Sequence, residues 1–377
     1  MRSGQAPWRG PGPGTWVAAV AAIVVVAGGL VTVARGVRPA ARPTLGAPAP
    51  TAASAVPSSA PEAKTTKSAA TITLAFAGDV HFAERTATRL AADPDTAFGE
   101  AATALRASDL TMVNLETAVT ERGSPEPKEF HFRTPATAFT ALRAAGVDVA
   151  TMANNHAADY GAVGLADTLA AIRSTRFPTI GIGADAAQAY APYYARVRGH
   201  LVALVAASQI RDRTLAAWTA GPTSAGIASA YDDRLVAAVR AARDRAEIVV
   251  VYLHWGVEGQ GCPSGDQRAL AGRLAAAGAD AVVGTHAHLL LGAGYLGSTY
   301  VAYGLGNYLW WRNSAYSDDT GVLRLTFAGR RVVGAALAPA RIDGRGVPVP
   351  ATGETAARIE REWASLVGCT GLAARAG

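Results

Sequence analysis

Cysteine is nearly missing from this 377-residue chain: Cys262 and Cys369 are the only two. Neither has metal-site spacing, which excludes a cysteine-liganded structural zinc. The pair reads either as one disulfide, as in an exported domain, or as two unrelated buried thiols. A charge excess is also missing where it would count. The net charge of +6 suggests an acidic partner, but residues 1–70 hold seven basic side chains against one acid, and the remaining 28 basic and 28 acidic residues cancel. A nucleic-acid-binding surface therefore loses its compositional support. No repeat of fixed period is present.

Long apolar runs are few as well, and the clearest lies near the N-terminus. Residues 17–34 carry no charge, and as a helix they would span about 27 Å, close to the thickness of a bilayer's hydrocarbon. The expected layout is a cytoplasmic N-terminus (1–16), a transmembrane signal anchor (17–34), a disordered Ala/Pro/Ser/Thr linker (35–70) and a folded extracytoplasmic domain (71–377). Secretion after signal cleavage is the alternative. No cysteine follows the apolar run, so lipid attachment there is excluded.

What is present from Thr71 onward is alternation. The segments TITLAFAG, LTMVNLE, VDVATMA, EIVVVYLHWG and DAVVGTH predict buried strands. Between them TPATAFTALRAAG, GAVGLADTLAAIR, DDRLVAAVRAARDR and SGDQRALAGRLAAAG have helical spacing with Ser, Thr or Asp starts and Gly stops. The fold class is α/β. Three later strand-like segments, up to RRVVGAALAP, have no helix between them and predict an antiparallel part. A last helix is expected at about 354–366, with Ile359, Trp363 and Leu366 on one stripe.

The scarce polar residues fall at the strand ends: Asp79 and His81, Glu116, Asn155 and His156, His254, then His286 and His288. Side chains two apart on an extended segment share a face, so Asp79 with His81, and His286 with His288, could each grip one ion. Mixed carboxylate, amide and imidazole donors suit Mn²⁺, Fe²⁺ or Zn²⁺. So many donors fit two divalent ions, with a carboxylate bridging. Among other candidates, Arg133 would clamp a phosphate or carboxylate or else sit on the surface. Asn307 would approach the site or serve a turn. His131 resembles Arg133 in this. Glu258 would orient His254 or be solvated, and Asp159 would orient His156 or cap a helix. Trp255, Trp310 and Trp311 fit buried packing better than a substrate wall. His200 reads as structural.

In order, AGDVHF, VNLETAVT, FHFRTP, AGVDVATMANNHAADYG, HWGVE, GADAVVGTHAHLL and YGLGNYLW resemble the bacterial capsule-synthesis proteins of the CapA (poly-γ-glutamate) type, a branch of the calcineurin-like metallophosphoesterases. The resemblance implies a four-layer α/β/β/α sandwich with the site at the C-terminal ends of the strands. By position, it assigns Asp79, His81 and His288 to a first metal, Glu116 to the bridge, and Asn155, His254 and His286 to a second. His156 is then the acid near the leaving group. The wider superfamily's GDxxD is reduced here to NLE and its GNH[DE] to NNH, which leaves the fold and metal site better supported than phosphatase activity. The implied role is capsule or surface-polymer synthesis. The implied partners are an anionic polymer or phosphoester substrate and membrane-bound synthetase subunits. Rival readings are a non-catalytic assembly factor and a general secreted metallophosphoesterase.

Overall fold

A computed structural model describes residues 71–377. The segments expected at 1–16, 17–34 and 35–70 lie outside the described residues. Among the described residues no helix is long and apolar enough to cross a membrane. The longest, Gly161–Thr175, has 15 residues where a span needs about 20. The expectation of a single-pass anchor holding the domain outside the cell is therefore corrected: the structure does not support it.

Two mixed sheets carry the domain. In the eight-stranded sheet, the central strand Ile72–Val80 runs parallel to Leu110–Leu115. On its other side Asp319–Ala328 pairs antiparallel along Ile72 to Phe76, and Asn307–Leu309 then pairs parallel at Asp79 and Val80. Val149–Thr151 and Thr179–Ile180 extend one edge, Arg331–Ile342 and Pro348–Pro350 the other. The six-stranded sheet has four parallel strands, His200–Ser208, Ile248–Trp255, Ala281–His286 and Thr299–Ala302, with antiparallel edges Tyr193–Val197 and Ala293–Leu296. The later strands are thus only partly antiparallel. A hairpin and a short crossover return two of them parallel to earlier strands, a pairing that segment order does not encode.

Alternation along the central strand builds the layers. Ile72, Leu74 and Phe76 pack with Val202, Leu204, Val250, Tyr252 and Val283 of the other sheet. Ala75 and Ala77 turn outward to a cluster containing Leu90, Phe139, Leu142 and Leu165 from three helices. On the far side of the second sheet, Val205, Val249 and Val251 meet Leu235, Val239, Leu270 and Leu274. The order helix, sheet, sheet, helix is the four-layer sandwich expected. Local signals set the helix ends: Gly265–Ala277 starts at Ser264 with a capping box to Gln267 and stops at Gly278, whose φ is 104°.

One close approach aligns the strand ends. A Cβ on Gly78 would lie 1.9 Å from the carbonyl oxygen of Gly306, so only glycine lets the two segments meet where Asp79 and Asn307 pair.

Candidate metal centre

The central strand and its neighbours end at one place. Asp79 and Glu116 come from the first sheet, His254 and His286 from the second, and all four are buried. His288 lies on the loop after His286. The ligand-type atoms of Glu116, His254 and His286 lie within 4.8 Å of one another, and so do those of Asp79, Glu116 and His288. Glu116 belongs to both groups. Asn155 joins the first, its Oδ1 2.7 Å from His254 Nε2.

Glu116 is the residue that best shows how this donor set fits a cation. Both its carboxylate oxygens are buried without a hydrogen-bond partner among the described residues. Burial and the neighbouring Asp79 raise its pKa well above the usual range. An uncompensated buried carboxylate is costly, and a cation held between the two groups would remove that cost. The donor set, two carboxylates, an amide and three imidazoles, fits a divalent ion. Asp79 behaves differently: burial pushes its pKa up, but His288 and His254 with Asn114 hold it below its ordinary value. Burial pushes the imidazoles of His286 and His156 well below the usual range and that of His254 to about 4, so they are neutral and keep a lone pair for coordination or proton transfer. At His288 burial is outweighed by Asp79 and Glu116, and its pKa rises.

Hydrogen bonds hold these groups from behind. Asn114 donates to Asp79 Oδ1 at 2.8 Å and lies 3.1 Å from His254 Nδ1. Asn154 donates to Asn114 Oδ1 and to the Leu115 carbonyl, and its own Oδ1 accepts from the His156 N–H. It holds the turn that presents Asn155 and His156. His286 and His288 both have positive φ, 92° and 58°, a backbone strain of roughly 1–3 kcal/mol each, and the His286 N–H bonds Asp79 Oδ2 at 3.2 Å.

His156 faces the same centre, its Nε2 4.0 Å from Glu116 Oε1. Its Nδ1 meets Asp159 at 2.7 Å. Asp159 does not cap a helix. Its carboxylate also accepts from the Phe132 N–H and pairs with Lys128 at 2.5 Å, and burial pushes its pKa up to about 6 despite Lys128.

The structure does not bring every expected residue in. His81 is in neither group; its Nε2 accepts from the Trp311 N–H at 3.1 Å, and its ring lies between Phe132 and Trp310, 4.3 Å from each. The strand ends at Val80 with a register shift after Asp79, so the two-residue alternation that would align His81 with Asp79 is broken. Arg133 is exposed with its guanidinium over Tyr160. Asn307 does reach the site, its Oδ1 2.9 Å from His288 Nδ1. Glu258 lies near His288, 3.9 Å away, as its nearest imidazole partner. His131 bonds the Glu126 carbonyl, and Trp255 is buried with its N–H on the Tyr303 carbonyl. Asn114 and Lys128 were missed. Asn114 had a readable signal, since it is a polar residue inside the buried apolar strand Leu110–Leu115.

The chain is similar to known proteins. It is 29% identical over 270 residues to the PGA biosynthesis protein CapA of Bacillus subtilis, covering 70% of each chain. It is 31% identical over 201 residues to the capsule biosynthesis protein CapA of Bacillus anthracis, covering 52% of this chain and 48% of that one. Among solved structures, the 5'-nucleotidase of Candida albicans superposes with a TM-score of 0.45 at 10% identity, over 79% of this chain and 57% of that one. Residues 73–310 match the family model described as bacterial capsule synthesis protein PGA_cap, and with well over half its length so matched, the chain belongs to that family.

Proposed function

We propose that this chain acts in the synthesis of an anionic capsule polymer of the poly-γ-glutamate type, as a hydrolase of phosphoester-type bonds that depends on two divalent ions. The family membership supports the biological setting. The observation that carries the chemistry is Glu116, a buried carboxylate with no hydrogen-bond partner among the described residues that stands in both groups of candidate ligands. Asp79, Glu116 and His288 would hold one ion; Glu116, Asn155, His254 and His286 the other. Bound there, the ions supply Lewis-acid polarisation and neutralise charge developing on the reacting oxygens. The protein's own part is proton handling and orientation. Asp159 fixes Nδ1 of His156, which leaves Nε2 to hold or move a proton at the leaving oxygen, and Lys128 keeps Asp159 in place.

Manganese content of the purified chain tests the ligands: about two ions per chain are expected, and Asp79→Ala and His286→Ala should each lower that number. Variants that retain the wild-type content would overturn the assignment. Turnover of an aryl phosphoester should require Mn²⁺ and fall sharply in His156→Ala.

The placement of His81 favours a second reading. Its Nε2 is engaged by a backbone N–H and its ring is enclosed by aromatics, so only its buried Nδ1, which has no hydrogen-bond partner among the described residues, is left to coordinate. A metal-binding assembly factor that holds the polymer for a synthetase would show the metal content without turnover across a panel of phosphoesters.

A further inference from the structure

Beside His288 a cavity of about 220 Å³ opens, lined by Glu258, His288, Asn307, Trp310, Arg312 and Tyr316 among others. It adjoins the candidate metal centre and shares His288 with it. Two of its polar groups have no protein hydrogen-bond partner among the described residues. The amide nitrogen of Asn307, a fully buried residue, has no hydrogen-bond partner among the described residues, while its oxygen is engaged by His288. Arg312 forms no ion pair or hydrogen bond among the described residues; its guanidinium is held instead over the rings of Trp311 and Phe130, 4.9 and 5.7 Å from their centroids.

The buried Asn307 N–H calls for an oxygen acceptor, and the exposed guanidinium of Arg312 stands beside it to add a cationic contact. A guanidinium stacked on aromatic faces keeps its edge N–H groups free for a planar oxyanion and loses little rotamer freedom on binding. The one acid on the wall, Glu258, lies 3.9 Å from His288 Nε2. The volume sets the size of the ligand. At about 30 Å³ per water it holds roughly seven waters, enough for one charged group and its stem and short of a whole drug-sized ligand.

We infer that this cavity is an anion subsite taking one carboxylate or phosphate group of the substrate, with Arg312 as its cationic contact and the Asn307 amide as its second donor. The inference rests on the proposed metal centre only for what lies next to the bound group.

Calorimetric titration of the manganese-loaded full chain tests it, with three probes: a γ-linked glutamate oligomer, its amidated counterpart and inorganic phosphate. Arg312→Ala should weaken the oligomer, the phosphate or both by about tenfold or more, as expected for loss of a charged hydrogen bond, and Arg312→Lys should fall between. The amidated oligomer should bind equally weakly to all three proteins. Dependence confined to the oligomer identifies a carboxylate site; dependence confined to phosphate, a phosphate site. Equal affinities in wild type and Arg312→Ala, or no binding of either anion by wild type, would overturn the inference. Manganese content is measured on the same samples. Arg312-dependent binding in a chain that holds no manganese would remove the metal reading and keep this one, and full manganese content with no Arg312 dependence would do the reverse.

Discussion

Replacing Glu116 by Gln should stabilise the metal-free protein and destabilise the metal-loaded one. The nearest oxygens of Glu116 and Asp79 lie within 4.8 Å. Two charges at that distance repel by on the order of 3 kcal/mol at an effective dielectric of 20. Protonating Glu116 instead limits the cost, so a gain of roughly 1–3 kcal/mol is expected from the amide. For a domain of this size that is about 2–6 °C in melting temperature. The pH dependence has a definite sign. The folded-state pKa of Glu116 is raised above its ordinary 4.5, so ionising it costs stability as pH rises past that value, and the advantage of Gln should be largest at pH 8 and shrink towards pH 4.5. With Mn²⁺ at about a hundred times its dissociation constant the wild type should gain about 2.7 kcal/mol, most of which the variant should lose. The assay is thermal unfolding at pH 8 in chelator and in Mn²⁺. A variant less stable than wild type in chelator, or stabilised equally by Mn²⁺, would refute the reasoning.

Geometry elsewhere in the domain gives three further outcomes. Gly78→Ala should abolish soluble expression or cost more than about 3 kcal/mol, because its Cβ would meet the Gly306 carbonyl at 1.9 Å, whereas Gly272→Ala, with nothing within 4 Å inside a helix, should raise stability by up to about 1 kcal/mol; chemical denaturation measures both. Cys262 and Cys369 are joined in a disulfide across 107 residues, so thiol labelling of the native oxidised protein should find no free cysteine, and reduction should lower stability by about 2–4 kcal/mol.

Much of this site could be read before the fold was known because its residues are scarce and sit at strand ends. Asp79, Glu116, His254 and His286 each close a buried apolar run, and a run of that kind can only deliver its last side chain to the edge of a sheet. The sheet order was not readable. Nothing local indicates that Asn307–Leu309 returns to lie parallel to Ile72–Val80, since the pairing depends on Gly78 and Gly306 meeting from opposite ends of the domain's chain. His81 shows the limit of spacing rules: D-x-H promises a shared face only while the strand continues, and this one ends between the two residues. Asn114 was passed over because an asparagine in a strand looks ordinary until its partners, Asp79, His254 and Asn154, are seen together.

The family match stops at residue 310, yet the central strand leans on residues beyond that limit. Along Ile72 to Phe76 its outer neighbour is Asp319–Ala328, which also supplies Leu323, Leu325 and Phe327 to the layer between the sheets. A chain cut at residue 310 would leave the strand bearing Asp79 with an open edge along Ile72 to Phe76, with unpaired backbone groups beside an apolar face. Such an edge invites pairing with another copy. The span matched by the family model and the span that the strand needs in order to fold are therefore different lengths, and a fragment cut at residue 310 should be recovered as aggregate.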